Sequence, residues 1–304
     1  MPLVDALPMP AQLPGRLPLG SAAEPVVVWL LEHAQPLFNG VFALVDGLTQ
    51  AVESLLLLPP PWLACLLIFL LGIWRLGAGF GLAALLALAL VVGLGLWSPM
   101  VATLALVLSA TAICVLLGFP LGILAARSER AWGLLRPLLD LMQTMPAFVY
   151  LIPAVMFFGT GKVPGTIATV IFAMPPAVRL TRLGIQEVSA DLIEAGLAFG
   201  CTPGQLLRRV QIPAALPTLM TGLNQTIMLA LSMVVIASMI GAGGLGDMVL
   251  RGIQQLDLGL GIEGGLAVVI LAVLLDRLGQ SFACRPRSMG QRLRELARLW
   301  GVWR

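Results

Sequence analysis

Seven stretches of this chain are so long and so apolar that the remaining polar residues could not cover them in water. They run roughly Pro61–Leu76, Gly81–Trp97, Val101–Ala126, Pro137–Phe158, Pro164–Val178, Ala215–Ile240 and Gly259–Asp276, each set off by turn or charge signals. Several approach or exceed the about 20 residues that carry a helix across a bilayer core. The first and fifth are short, which predicts pairing, tilt or locally thinned lipid. Composition agrees, with 59% hydrophobic and only 11% charged residues. The expected fold class is therefore all-α: a polytopic helical bundle of about seven spans in a membrane.

The stretch before the first run, residues 24–58, is apolar but interrupted by Glu32, His33, Asn39, Asp46 and Glu53. A charge at the bilayer centre costs about 2.5–3.5 kcal/mol on insertion scales, so an interfacial amphipathic helix fits better than an eighth span. The proline-rich residues 1–23 lack the basic start and apolar run of a signal peptide and read as a disordered lead-in. Residues 59–98 then hold two N-terminal spans, 99–280 a core, and 281–304 a basic tail.

Arginine sets the orientation. With the N-terminus outside, one face collects Arg75, Arg127, Arg130, Arg136, Arg179, Arg182, Arg208, Arg209 and Arg277. It also takes the tail's Arg285, Arg287, Arg292, Arg294, Arg298 and Arg304, leaving Arg16, Lys162 and Arg251 opposite. The positive-inside rule makes the arginine-rich face cytoplasmic, which places the C-terminus inside. Residues 179–213 become the longest cytoplasmic loop.

Several chemistries are excluded. Cys65, Cys114, Cys201 and Cys284 are scattered with no CxxC or Cys/His spacing, so no metal site and no disulfide framework is expected. The single histidine, His33, argues against an enzyme, and no catalytic residue is expected. The segment GTGK at 159–162 lacks the earlier glycine and the hydroxyl residue of a phosphate-binding loop, so any ATP must be bound by another chain. Nothing points to a nucleic-acid partner.

The cytoplasmic loop has the chemistry of two short helices. Ala190–Phe199 is helix-permissive, with Asp191 near the positive end of its dipole and Gly200 as the stop. Thr202, Pro203 and Gln205 supply an N-cap, a first-turn proline and a capping-box partner. Leu206, Leu207 and Val210 make an apolar edge, and Pro213 is expected to end the second helix before the next span. Small residues on the first helix suit close approach to another backbone. The loop is either a docking knob for a cytoplasmic partner or an amphipathic cover lying on lipid or on its own subunit.

This stretch, EAGLAFGCTPGQLLRRVQIP, resembles the signature loop of ABC-transporter permeases: E-A-A, three residues, G, nine residues, I-x-L-P. Glu194, Ala195 and Gly200 match, Gly196 replaces the second alanine, and residues 210–213 stand for I-x-L-P. LLDLMQTMPAFVYLIPAVMFFG at 138–159 and the run at 224–265 are similar to the glycine betaine/proline, or quaternary amine, branch of that family. The resemblance implies a type I importer permease core. Its expected partners are two ATP-binding cassette ATPase subunits, an extracytoplasmic substrate-binding protein, a second copy of the permease and membrane lipid. This chain would bind no cofactor; ATP and Mg would sit on the ATPase. The same resemblance implies that Glu194, Ala195, Gly196 and Gly200 are the contact core for the ATPase and that Pro213 is a further ATPase-coupling residue. The location implied is the bacterial inner membrane, multi-pass.

For a substrate path, Asn224, Gln225, Thr226 and Ser232 are candidates because polar residues in a span face a cavity or bond another helix. Phe148 and Tyr150 could offer aromatic faces to a quaternary nitrogen, or be lipid-facing or core. Among carboxylates near the membrane, Asp140 and Asp276 lie at cytoplasmic ends, and Asp276 can pair with neighbouring Arg277. Glu263 lies a turn inside the outer end of the last span. Pro146 and Pro153 are expected to kink the fourth span, and GAGGLG at 241–246 to form a flexible outer turn. In the tail, Leu293, Leu296, Trp300 and Trp303 fall near one helical face, suited to anchoring on anionic lipid or to sensing ionic strength. The rival reading is an ion-coupled secondary transporter of small amines, which would need paired carboxylates and inverted repeats.

Overall fold

A computed structural model describes Pro25 and residues 28–283. The chain divides into two units, Met1–Ala43 and Leu44–Arg304; the site lies in the second. The described elements are helices, with no strand among the described residues. They are α1 (Gln35–Leu57), α2 (Pro61–Arg75), α3 (Ala78–Gly93), α4 (Trp97–Arg127), α5 (Glu129–Thr144), α6 (Ala147–Phe158) and α7 (Lys162–Gln186). They continue with α8 (Ala190–Ala198), α9 (Pro203–Leu206), a π-helical turn (Leu207–Gln211), α10 (Ile212–Ser232), α11 (Val234–Ser238), α12 (Leu245–Gln255) and α13 (Leu258–Ala283). The lead-in and the basic tail, with Leu293, Leu296, Trp300 and Trp303, lie outside the described residues.

By length and composition five helices can cross a bilayer, or six if one bent pair counts as a span; two further apolar helices, α2 and α3, are shorter. α1, expected at the interface, is long and apolar enough to be among the five. The expected fifth span, Pro164–Val178, is not short: α7 has 25 residues and carries Arg179 and Arg182 on its last turns. The loop between spans accordingly begins near Glu187 rather than at Arg179. α2 and α3 fold back on each other around Gly72 and Gly81, where a Cβ on Gly81 would lie 2.6 Å from Ile73 Cγ1.

The expected span Pro137–Phe158 is not one kinked helix. α5 and α6 meet at 102°. Met145 (ψ 137°) and Pro146 (ψ 140°) are both extended. The cause is local: proline clashes with a helical residue before it and has no N–H to donate, so two residues leave the helix instead of one hydrogen bond bending. Pro153 lies inside α6 without breaking it.

The core is built on α7, flanked by α4 and α10 through small residues. A Cβ on Gly118 would lie 2.9 Å from Ala177 Cβ, and one on Gly122 would lie 2.7 Å from the Val178 carbonyl oxygen. On the other side Gly184 faces Ala215 and Thr218, and Gly222 faces Leu180 and Pro176. Lipid offers apolar side chains as good an environment as protein does, so close backbone approach and dispersion, not burial from water, hold these helices together. Val107, Ala110, Ala173, Ala230, Leu245 and Ala267 complete a tightly buried centre.

The GAGGLG segment is packed rather than flexible. Gly241, Gly243 and Gly244 have positive φ, the Leu245 N–H donates to Thr103 Oγ1 at 2.8 Å, and a Cβ on Gly246 would strike the Val234 backbone. It leads into α12, an amphipathic helix that the sequence reading did not separate. α12 turns back onto α13 through Leu256, the one non-glycine described residue with positive φ (55°), where Gly252 and Gly261 abut. Asp257 Oδ1 accepts the Leu260 N–H at 3.1 Å and caps α13.

Candidate functional site

The hairpin at 190–211 forms as its local chemistry requires. α8 ends in a complete Schellman cap: the Cys201 N–H donates to Gly196 O (3.1 Å), the Gly200 N–H donates to Leu197 O (2.9 Å), and Gly200 has φ +75°. Three residues on, Thr202 and Gln205 make a reciprocal capping box, with Thr202 N–H to Gln205 Oε1 at 2.9 Å and Gln205 N–H to Thr202 Oγ1 at 3.4 Å. Gly196 lies inside the hairpin, where a Cβ would meet Leu206 Cδ1 at 2.7 Å. Its small size sets how closely the two helices approach. Glu194, Ala195, Leu197 and Gly200 face outward, as does Phe199, which is 90% exposed.

Pro213 does not end the second helix. The run from Pro203 to Ser238 is continuous, with Pro213 in the first turn of α10. Proline lacks an N–H and its ring would strike the carbonyl four residues back. The chain widens into a π turn at 207–211, in which the Ile212 N–H reaches back to Leu207 O. The second helix of the hairpin and α10 therefore form one continuous run, and α8 packs on it through Gly196. Leu207 is buried with Ile185, Ala215 and Leu219, against Phe119 and Ile123 of α4.

Charges sort to two ends of the bundle. Around the hairpin end, Arg182 donates to Glu129 Oε1 (3.1 Å) and to Ala125 O (3.2 Å) and stacks on Trp132; Arg179 pairs with Asp140; Arg75 reaches Ser281 O. At the other end Lys162 Nζ bonds both oxygens of Glu53 (2.8 and 2.6 Å), and the Gly161 N–H donates to Ile240 O at 2.8 Å.

A second feature is a cavity of about 660 Å³ among α5, α7, α10 and α13, lined by Gln143, Thr221, Asn224, Gln225, Asp276 and Gln280 with Pro176 and methionines 220 and 228. Of the six candidate path residues, only Asn224 and Gln225 line it. Thr226 is fully buried and its hydroxyl donates to Gly222 O. Ser232 is exposed two turns further along α10 and bonds Met228 O. Tyr150 is buried, its hydroxyl donating to Met142 O and its ring edge-on to Phe172 at 6.3 Å. Phe148 is 53% exposed. Glu263 is half-buried in the first turns of α13.

Asp276 does not pair with Arg277. Consecutive residues on a helix point in different directions. Asp276 Oδ1 instead accepts from Asn224 Nδ2 (3.3 Å) and Gln280 Nε2 (2.8 Å). Gln143, Thr221, Asp276 and Gln280 were not singled out in the sequence as path residues. The available signal was the four-residue spacing of Asp276 and Gln280, which puts them on one face.

Comparison with known proteins now adds to this geometry. Residues 118–287 match the family model of the binding-protein-dependent transport system inner membrane component. The chain is 52% identical over 278 residues to the glycine betaine/proline betaine transport system permease protein ProW of Escherichia coli (strain K12), covering 91% of this chain and 78% of that protein. It is 46% identical to the glycine betaine transport system permease protein OpuAB of Bacillus subtilis (strain 168), over 90% of this chain and 98% of that one. Among solved structures, the MetNI methionine ABC transporter in inward-facing conformations superposes with a TM-score of 0.56 at 22% identity. It covers 60% of this chain and 91% of that one, and this likeness supports the fold. By these matches the helical bundle is a transport component: this chain belongs to the binding-protein-dependent transport system inner membrane components.

Proposed function

We propose that this chain is the permease subunit of an ATP-driven importer that carries glycine betaine, proline or related quaternary amines across the bacterial inner membrane. The observation that carries the reading is the continuity of the hairpin's second helix with α10. A docking element fused to a central span is what a chain needs if its energy comes from another subunit. In this reading the arginine-rich end is cytoplasmic, and ATP and Mg are bound by two ATPase subunits beneath a pair of permease chains. A separate extracytoplasmic protein delivers the substrate to the opposite end, near Lys162 and the 241–246 loop. Glu194, Ala195, Phe199 and Gly200 form the contact face. Gly196 and Pro213 act indirectly, the first by closing the hairpin and the second by setting its angle to α10. ATP binding shifts the assembly between inward- and outward-facing states because the ATPase grips the hairpin differently in each.

Reconstitution of the chain with its ATPase and binding protein in proteoliposomes tests this. Uptake of glycine betaine should require ATP and the binding protein and survive ionophores that collapse ion gradients. Uptake abolished by ionophores but indifferent to ATP would instead support an ion-coupled carrier.

A further inference from the structure

The cavity holds a carboxylate with no basic neighbour bonded to it. None of the five ion pairs among the described residues involves Asp276. Its Oδ1 accepts two amide hydrogen bonds, from Asn224 and Gln280, no hydrogen bond to Oδ2 forms among the described residues, and the residue lines the cavity. The arrangement is built, not incidental. A Cβ on Gly279 would collide with the Asn224 amide, so glycine at 279 lets that amide lie against α13 beside Asp276. Asp276 lies towards the cytoplasmic end of a candidate span, Leu258–Phe282, and an ionisable group within a span normally faces a pathway or a partner charge. Here two neutral donors hold the carboxylate without neutralising it.

We propose that Asp276 is the cation-accepting group of a transit site. It would hold the quaternary ammonium of a small zwitterionic amine, while the amides of Gln143 and Gln225 meet the substrate's carboxylate. This rests on the reading of the chain as a permease for such amines. The volume, about 660 Å³, lies in the roughly 300–1,000 Å³ range of small-molecule sites. A quaternary ammonium has no N–H, so it is attracted by charge and by apolar contact; Asp276 supplies the first, and Pro176, Met220 and Met228 the second. Among the described residues no aromatic ring lines the cavity, so the site there has no tight aromatic cage to trap its cargo. A site on a conduction path must attract a substrate and also release it.

The test uses the assembled permease–ATPase complex without ATP. Thr221→Cys places a reporter in the cavity. Cys201→Ser and Cys284→Ser remove competing thiols, and Cys65 and Cys114 are buried. Alkylation of Cys at 221 by a water-soluble maleimide is followed against glycine betaine and against 3,3-dimethylbutyrate, which has carbon in place of the cationic nitrogen. Glycine betaine should protect at a concentration about tenfold or more below this anionic isostere, which lacks the cation. Asp276→Asn should erase that difference, and Asp276→Glu should keep it. Equal protection by the two compounds, no protection by either, or discrimination surviving in Asp276→Asn overturns the cation site. ATP-driven uptake by the wild-type complex is measured in parallel. Uptake without discrimination sinks the transit site alone, whereas absent uptake sinks the transport reading itself.

Discussion

Gly200 separates two explanations for why the hairpin matters. Its φ is +75°, and a Cβ there would meet nothing within 4 Å. Any substitution therefore acts through backbone strain or through an outside partner, not through a clash inside this chain. A left-handed conformation costs an ordinary L-residue about 1–2 kcal/mol, least for Asn and Asp, whose side chains bond locally. Gly200→Ala should thus tilt the hairpin's local equilibrium by a factor of about 5–30, Gly200→Asn and Gly200→Asp by less. A docked ATPase reverses this order. An aspartate forced into a desolvated contact costs about 2–5 kcal/mol, while a methyl group adds little volume. The expected ranking of ATP-driven uptake in inverted vesicles is wild type, then Asn and Ala, then Asp near background, with membrane levels of the permease unchanged. Co-purification of the ATPase should fall with Gly200→Asp alone. Wild-type uptake by Gly200→Asp, or a larger loss in Gly200→Ala than in Gly200→Asp, would show that the exposed face does not seat a partner.

Three further outcomes follow from the packing. Gly122→Val should destabilise by about 1–3 kcal/mol, because its Cβ would approach the Thr181 side chain and the Val178 carbonyl and force α4 from α7; Gly133→Ala, with open space around it, should not lower the unfolding temperature in detergent. Lys162→Met should cost under about 1 kcal/mol, since its partner Glu53 and its own ammonium remain partly in water (21% and 41% exposed), and Glu53→Gln on top should add almost nothing; a loss above about 3 kcal/mol would mean the pair is shielded. Pro213→Ala restores an N–H and removes the ring clash that widens the chain at 207–211, so an α turn can replace the π turn and swing the hairpin about α10; uptake should fall while insertion and ATPase level hold, and unchanged uptake would show that the angle is immaterial.

What the sequence discloses depends on how local the cause is. The Gly200 stop and the Thr202–Gln205 box are legible because each is decided within four residues, and the structure forms both. Features set by contact across the bundle are not. Arg179 and Arg182 read as the end of a span, yet α7 continues through them because Asp140 and Glu129 of α5 neutralise them. Pro213 reads as a stop because the rule for a proline inside a helix is local, while the remedy, a π turn anchored by Leu207, depends on Ile185 and Ala215. α12 reads as part of a turn before a span, since its packing face is set by contacts across the bundle such as Gly252 with Gly261 and Gly264 with Met248. Asp276 is assigned to its sequence neighbour until Gly279 shows how near Asn224 comes.

The most direct measurement of the central claim is site-specific cross-linking of the hairpin in the assembled transporter. With Ala195→Cys in a chain cleared of Cys201 and Cys284, a short cross-linker should join the permease to its ATPase, with a yield that changes when ATP is bound. The same thiol should resist impermeant maleimide added outside intact cells. Labelling from outside, or a hairpin that joins nothing in an ATP-hydrolysing complex, would contradict the account.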